Sequence, residues 1–109
     1  MKISLTEKHC RACELGEGKL SPDDIKAFII HVPKWGVVNN HEISRQFIFK
    51  NFTCALAFVN KVGALAESEG HHPDIKFGWG YAEITLFTHS VDGLSENDFI
   101  LAAKIDRLN

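Results

Sequence analysis

Residues 78–90 read GWGYAEITLFTHS, and the alternation in this stretch decides the fold. From Tyr81 onward, apolar and polar side chains change places at every step. Ala82, Ile84 and Leu86 fall on one side, and Tyr81, Glu83, Thr85, Phe87 and His89 on the other. A period of two marks a strand with one face in the core and one toward water. On this reading His89 lies near the end of the strand, on the outer face. DIKF at 74–77 supplies a partner strand immediately upstream.

Before that hairpin the period changes. FTCALAFVNKVGALAESEG, residues 52–70, has apolar residues at 52, 55, 56, 59, 62 and 66, which predicts a helix of about four turns. Asn51 caps its start and Gly70 stands where a helix-ending glycine belongs. Farther upstream, WGVV (35–38) and ISRQFIF (43–49) flank NNHE, where asparagine tolerates a positive φ, so a second hairpin is expected. SPDDIKAFII (21–30) opens a helix, with Ser21 as N-cap, Pro22 at the first helical position and Asp24 three residues after the cap. Ile25, Phe28 and Ile29 continue it, and Pro33 ends the pattern. GLSENDFILAAKIDRL (93–108) opens a last helix at Ser95, with Asp98 at the capping-box position. Residues 1–19 are polar and glycine-bearing and read as an irregular arm. The order is α-β-β-α-β-β-α. The fold class is α+β: a four-stranded antiparallel sheet with three helices packed on one face.

At 109 residues the chain, 1–109, is expected to form one domain. An apolar fraction of 45% and a charged fraction of 24% are those of a globular protein. A net charge of −2 gives no footprint for nucleic acid. No apolar run reaches membrane length. The opening MKISLTEKHC lacks an apolar core, so no secretory signal is read. Three cysteines suit a reducing compartment rather than a disulfide framework. The expectation is a cytoplasmic protein.

The chemistry centres on EGHHPD, residues 69–74. Neighbouring side chains diverge in a helix or strand, but a glycine before and a proline after argue for a loop able to aim both rings at one point. His71 and His72 then sit on that loop, with His89 on the strand. Imidazole titrates near neutrality, and two close imidazoles disfavour each other's charged forms, which suits an acid–base site. Zinc binding and a purely structural role remain open beside it; adjacent histidines seldom chelate one ion. His9, His31 and His41 need no function, as histidine is often surface or satisfied core. Cys10 and Cys13 form the CxxC of HCRAC, but no second pair accompanies them. Glu67 and Glu69 oppose the dipole of the helix end they occupy, which favours a role outside the helix for one of them. The spacing of Asp98 from Ser95 is accounted for by a cap alone.

The pattern Glu67, His71-His72-Pro73, Trp79, His89 and Asp98 resembles the signature of the pterin-4a-carbinolamine dehydratases, with every spacing kept. THSVDGLSENDF (88–99) resembles the strand-to-helix turn of that family. Trp35, Phe47, Phe49, Phe52, Ala55, Phe58 and Val62 fall where it keeps its core, and HCRAC is similar to bacterial members. The resemblance spans nearly the whole chain. It implies dehydration of a 4a-hydroxytetrahydropterin to quinonoid dihydropterin, recycling the tetrahydropterin spent in aromatic amino-acid hydroxylation, with a functional link to phenylalanine hydroxylase. It assigns catalysis to His71, His72 and His89, and substrate-binding or supporting roles to Glu67, Pro73, Trp79 and Asp98. Pterin is the substrate, and no metal or cofactor is implied. Two departures stand out: Ile75 replaces a second aromatic of vertebrate members, and Asn97 replaces their arginine. Vertebrate relatives also act as coactivators, so a protein-binding regulator is the rival class. A sheet with two free edges and an outer face carrying Tyr81, Thr85 and Phe87 predicts a homodimer or homotetramer.

Overall fold

The computed structural model describes residues 5–10 and 18–109. Cys13 and part of the expected arm lie outside them. Within the arm, Leu5–Glu7 makes one turn of 3-10 helix and buries Leu5.

The chain then runs α1 (Pro22–Ile29), β1 (Gly36–Val38), β2 (Glu42–Ile48), α2 (Phe52–Glu69), β3 (Asp74–Gly78), β4 (Tyr81–Leu86) and α3 (Glu96–Asp106). Every pairing is antiparallel and the sheet order is β1-β2-β4-β3. This is the expected α+β sandwich. At the start of α1, Ser21 Oγ accepts from the Asp24 N–H and the Asp24 carboxylate accepts from the Ser21 N–H, each at 3.2 Å. Asn39 and Asn40 both take positive φ (53° and 51°) in the β1–β2 turn. Asn51 Oδ1 accepts from the Cys54 N–H at 2.9 Å and starts α2.

The core lies between the inner face of the sheet and the helices. Ile43 and Phe47 of β2 and Ala82, Ile84 and Leu86 of β4 meet Phe58 and Val62 of α2 and Phe99 and Leu101 of α3. Phe47 touches Phe58 with ring centroids 4.5 Å apart. Trp35 Nε1 and Arg45 Nη1 both donate to Asp106 Oδ1, at 2.8 and 2.6 Å, tying β1 and β2 to the end of α3.

Three details differ from the sequence expectations. The buried stripe of α2 is Ala55, Phe58, Val62 and Ala66, while Phe52 is 45% exposed and Leu56 is also exposed. The apolar surface of the helix is wider than the contact the sheet offers, and Phe52 stacks on Phe77 at its edge, centroids 5.6 Å apart. The β4 ladder ends at Leu86, so His89 is not on a strand. After a single bridge between Thr88 and Gly93, His89–Val91 coils into a 3-10 turn closed by Asp92 at φ 49°. Trp35 and Phe49 flank the first hairpin without joining its ladder.

Candidate active site

The loop carrying the paired histidines is shaped by the end of α2. Gly70 adopts φ 66°, and its N–H donates to Glu67 O while the His71 N–H reaches Ala66 O, both at 3.3 Å. This double closure satisfies helix-end carbonyls and requires the left-handed residue that glycine supplies. The chain leaves the helix with His71 turned inward. Its Nε2 lies 2.6 Å from Asp98 Oδ1, and its side chain is only 12% exposed.

Asp98 is the centre of the site. Its side chain is 0% exposed, and both carboxylate oxygens are occupied. Oδ2 accepts from the Ser95 N–H at 2.9 Å and from Thr88 Oγ1 at 2.8 Å, while Oδ1 faces His71. The Thr88 hydroxyl also meets Ser95 Oγ at 2.7 Å. Capping and histidine positioning are therefore one arrangement: one oxygen caps α3 and the other holds the ring. With the carboxylate accepting, His71 Nε2 carries the hydrogen, and Nδ1 is the ring nitrogen without a partner among the described residues. Thr88 and Ser95 were not read from the sequence as site residues. Their signal was present in the capping spacing, but not the fact that Thr88 folds back beside it.

The neighbouring ring goes elsewhere. His72 Nε2 lies 3.2 Å from Glu67 Oε1, with His72 61% exposed and Glu67 also in solvent. The loop thus aims the two rings at different carboxylates rather than at one point, because the residue after a left-handed turn and its successor still point apart. Pro73 is half-buried and leads directly into β3. Its ring fixes φ just before the strand begins.

His89 sits at the same end of the sheet as the loop, since Asp74 pairs with Thr85 near the end of β4. Its ring is exposed and rests on Phe87, centroids 4.2 Å apart. Trp79 is at the opposite end of β3, 73% exposed in the tight turn closed by Gly78 and Tyr81. Within one protomer, Trp79 is not brought to the histidines. Ile75 packs partly against the core. Among the described residues, no group of three or more histidine, cysteine or acidic side chains is placed to hold a metal ion, and no helix is long and apolar enough to cross a membrane.

Behind the loop, Glu69 resolves the puzzle of two acids at a helix end. Its buried carboxylate accepts from Lys104 Nζ (2.7 Å) and from the Cys10 N–H (2.8 Å), with His9 Nδ1 at 3.0 Å. Burial alone would raise its pKa. The lysine, the amide and the imidazole outweigh burial and hold it at about 2. The Cys10 thiol donates to Asn97 O at 3.6 Å and is pushed up to about 12, by burial first and then by the Glu69 charge. Glu69 thus fastens the arm to α2 and α3 just behind His71, and Cys10 is an unreactive thiol.

Comparison with known proteins places the chain in a family. The sequence profile described as Pterin 4 alpha carbinolamine dehydratase matches residues 18–108. A protein of Alkaliphilus metalliredigens, provisionally named pterin-4-alpha-carbinolamine dehydratase, is 52% identical over 105 residues, covering 95% of each chain. A protein of Rubrobacter xylanophilus with the same provisional name is 53% identical over 104 residues, covering 95% of this chain and 97% of the relative. Among solved structures, the transcriptional coactivator/pterin dehydratase of Brucella melitensis superposes with a TM-score of 0.78 at 28% identity, covering 83% of this chain and 97% of that one. A pterin dehydratase-like protein identified as a RuBisCO assembly factor in the alpha-carboxysome gives a TM-score of 0.59 at 30% identity, covering 69% and 88%. By sequence along most of its length, and by fold, the chain belongs to the pterin 4 alpha carbinolamine dehydratase family.

Proposed function

We propose that the protein dehydrates a 4a-hydroxytetrahydropterin, the 4a-carbinolamine, to quinonoid dihydropterin and water, and so returns tetrahydropterin to aromatic amino-acid hydroxylation. The observation that carries this reading is the buried His71–Asp98 pair at 2.6 Å, at the end of the sheet where His72 and His89 also lie. In the reaction, a protonated imidazole gives its proton to the C4a hydroxyl, and the C–O bond breaks with its electron pair leaving as water. A neutral imidazole takes the N5 proton, and the N5 electrons form the C4a=N5 bond. His71, held through Nε2, presents Nδ1 for proton transfer. His72 and His89 lie in solvent where the flat ring system is expected to bind, with Glu67 behind His72. The pterin is the substrate, and no step calls for a further cofactor.

The decisive experiment is a coupled assay following disappearance of the 4a-carbinolamine. Acceleration over spontaneous dehydration supports the reading; none, from folded protein, sinks it. A second reading has its own support: two structural relatives are described as a coactivator and as an assembly factor. If the protein is a protein-binding regulator instead, His71→Ala and Asp98→Asn leave partner binding intact while no turnover is seen in the parent. Two copies or four are proposed for the assembly, through the sheet edges or the exposed apolar flank of α2. Light scattering decides it, and a monomer mass of 12.2 kDa ends the proposal.

A further inference from the structure

His41, Phe87 and Asp92 take no part in that chemistry, yet they meet at its edge. Among the described residues nothing hydrogen-bonds the His89 ring; it leans on Phe87, centroids 4.2 Å apart at an interplanar angle of 50°. Phe87 in turn touches the His41 ring, centroids 4.9 Å apart. The β2–β4 register pairs Ile43 with Leu86, so the next step sets Glu42 opposite Phe87 and brings the β1–β2 turn against it. His41 also grips the far end of the 3-10 turn that begins at His89. Its Nε2 lies 2.9 Å from Asp92 Oδ1, and its Nδ1 lies 2.9 Å from Glu42 Oε1. Asp92 itself closes the turn, its N–H donating to His89 O at 3.1 Å. One residue therefore braces both ends of His89–Val91, through a ring at one end and a carboxylate at the other. Carboxylates at both ring nitrogens call for a proton on each, so this is the geometry of the imidazolium.

We propose that His41 is a positioning residue for His89: acting through Phe87 and Asp92, it fixes the turn that presents the His89 imidazole, and it holds that turn more firmly when it carries a proton. The kinetic half of this inference rests on the dehydratase reading, and its structural half does not. The titratable and charged groups around His41 are Glu42 on β2, Asp92 after the 3-10 turn, Lys19 beyond Asp92, and the His89 ring beyond Phe87. The Glu42 hydrogen bond first and the Asp92 hydrogen bond second hold His41 above its usual 6.5, against a weak opposing effect of burial. The brace is thus complete below 6.5 and loosens as pH rises through the raised value.

His41→Phe keeps a ring against Phe87 and deletes both ion pairs. Asp92→Asn deletes one pair and tolerates the positive φ. In histidine-selective NMR, the His89 Cε1–H signal of the parent should follow two ionisations, its own and that of His41; in His41→Phe it should follow only its own. The kcat of both variants should lie roughly tenfold below the parent near pH 6, and the gap should narrow as pH rises past the His41 ionisation, because the parent then loses the brace that the variants already lack. A single inflection for His89 in the parent, or a parent-to-variant ratio independent of pH, overturns the proposal. If the parent shows no dehydratase activity, that reading fails while the NMR titration still decides this one. If His41→Phe does not fold, Asp92→Asn carries the kinetic measurement and the parent's own two-step or one-step titration decides the structural half.

Discussion

His71 and His89 lie at the same end of the sheet and are held in opposite ways. His71 is buried against a carboxylate that is itself held by a hydroxyl and a backbone amide. His89 is exposed and rests on a phenylalanine face, and His72 shares its carboxylate partner with water. A hydrogen bond inside the protein is stronger than one that water competes for, and costs no reorganisation when substrate arrives. The difference teaches that one imidazole is preorganised by the fold, whereas the other two are set only by exposed contacts.

The comparison breaks most visibly at Asp98. Asp98→Ala leaves the Thr88 hydroxyl, the Ser95 N–H and His71 without their acceptor and should cost about 3–4 kcal/mol, measured by denaturant unfolding. A loss under 1 kcal/mol would mean that water replaces the carboxylate and that the site is wetter than its geometry. Asp98→Asn, with similar shape, should keep more stability but lower kcat by at least about tenfold, because the ring loses its acceptor. His71→Ala comes next, with kcat down roughly a hundredfold and a stability loss smaller than that of Asp98→Ala, since Asp98 keeps its Thr88 and Ser95 donors. His72→Ala should lose only about tenfold, much of it in KM. Equal losses in the two histidine variants would erase the proposed division between preorganised and exposed rings.

Glu69 sharpens the same contrast from behind the loop. Glu69→Gln should cost about 2 kcal/mol, since Lys104 loses its partner in a buried setting. The pKa of Glu69 is depressed to about 2, so its contribution is complete above 4.5 and is lost as pH falls toward 2. The stability difference between parent and Glu69→Gln should therefore shrink through that window in acid unfolding series; a constant difference would refute the assignment. The smallest effect belongs to Trp79, at the other end of β3. Trp79→Ala should change stability by no more than about 0.5 kcal/mol and kcat by no more than about twofold in a single protomer. A large loss would indicate that a second copy brings Trp79 to the histidines.

Much of the molecule was written locally. The alternation at 81–86, the caps at Ser21, Asn51 and Ser95, the closing Gly70 and the paired asparagines depend only on near neighbours in the chain, and each took its expected form. That was enough for element order, sheet type and the inner face. Candidate residues were legible as well, through the spacing from Glu67 to Asp98, although Trp79 stands apart from the histidines and Thr88 carried no signal of its own. What the sequence could not decide was direction and depth. Whether Asp98 only capped a helix or also held a histidine depended on His71, 27 positions away, arriving at its second oxygen. Whether the paired histidines converged depended on the angle at which Gly70 releases the chain. That β4 stops at Leu86 and Thr88 turns back to Gly93 follows from a bridge between segments, which alternation cannot register. Periodicity and capping are properties of adjacent residues; the burial of a carboxylate and the partners it keeps are set only when distant elements close around it.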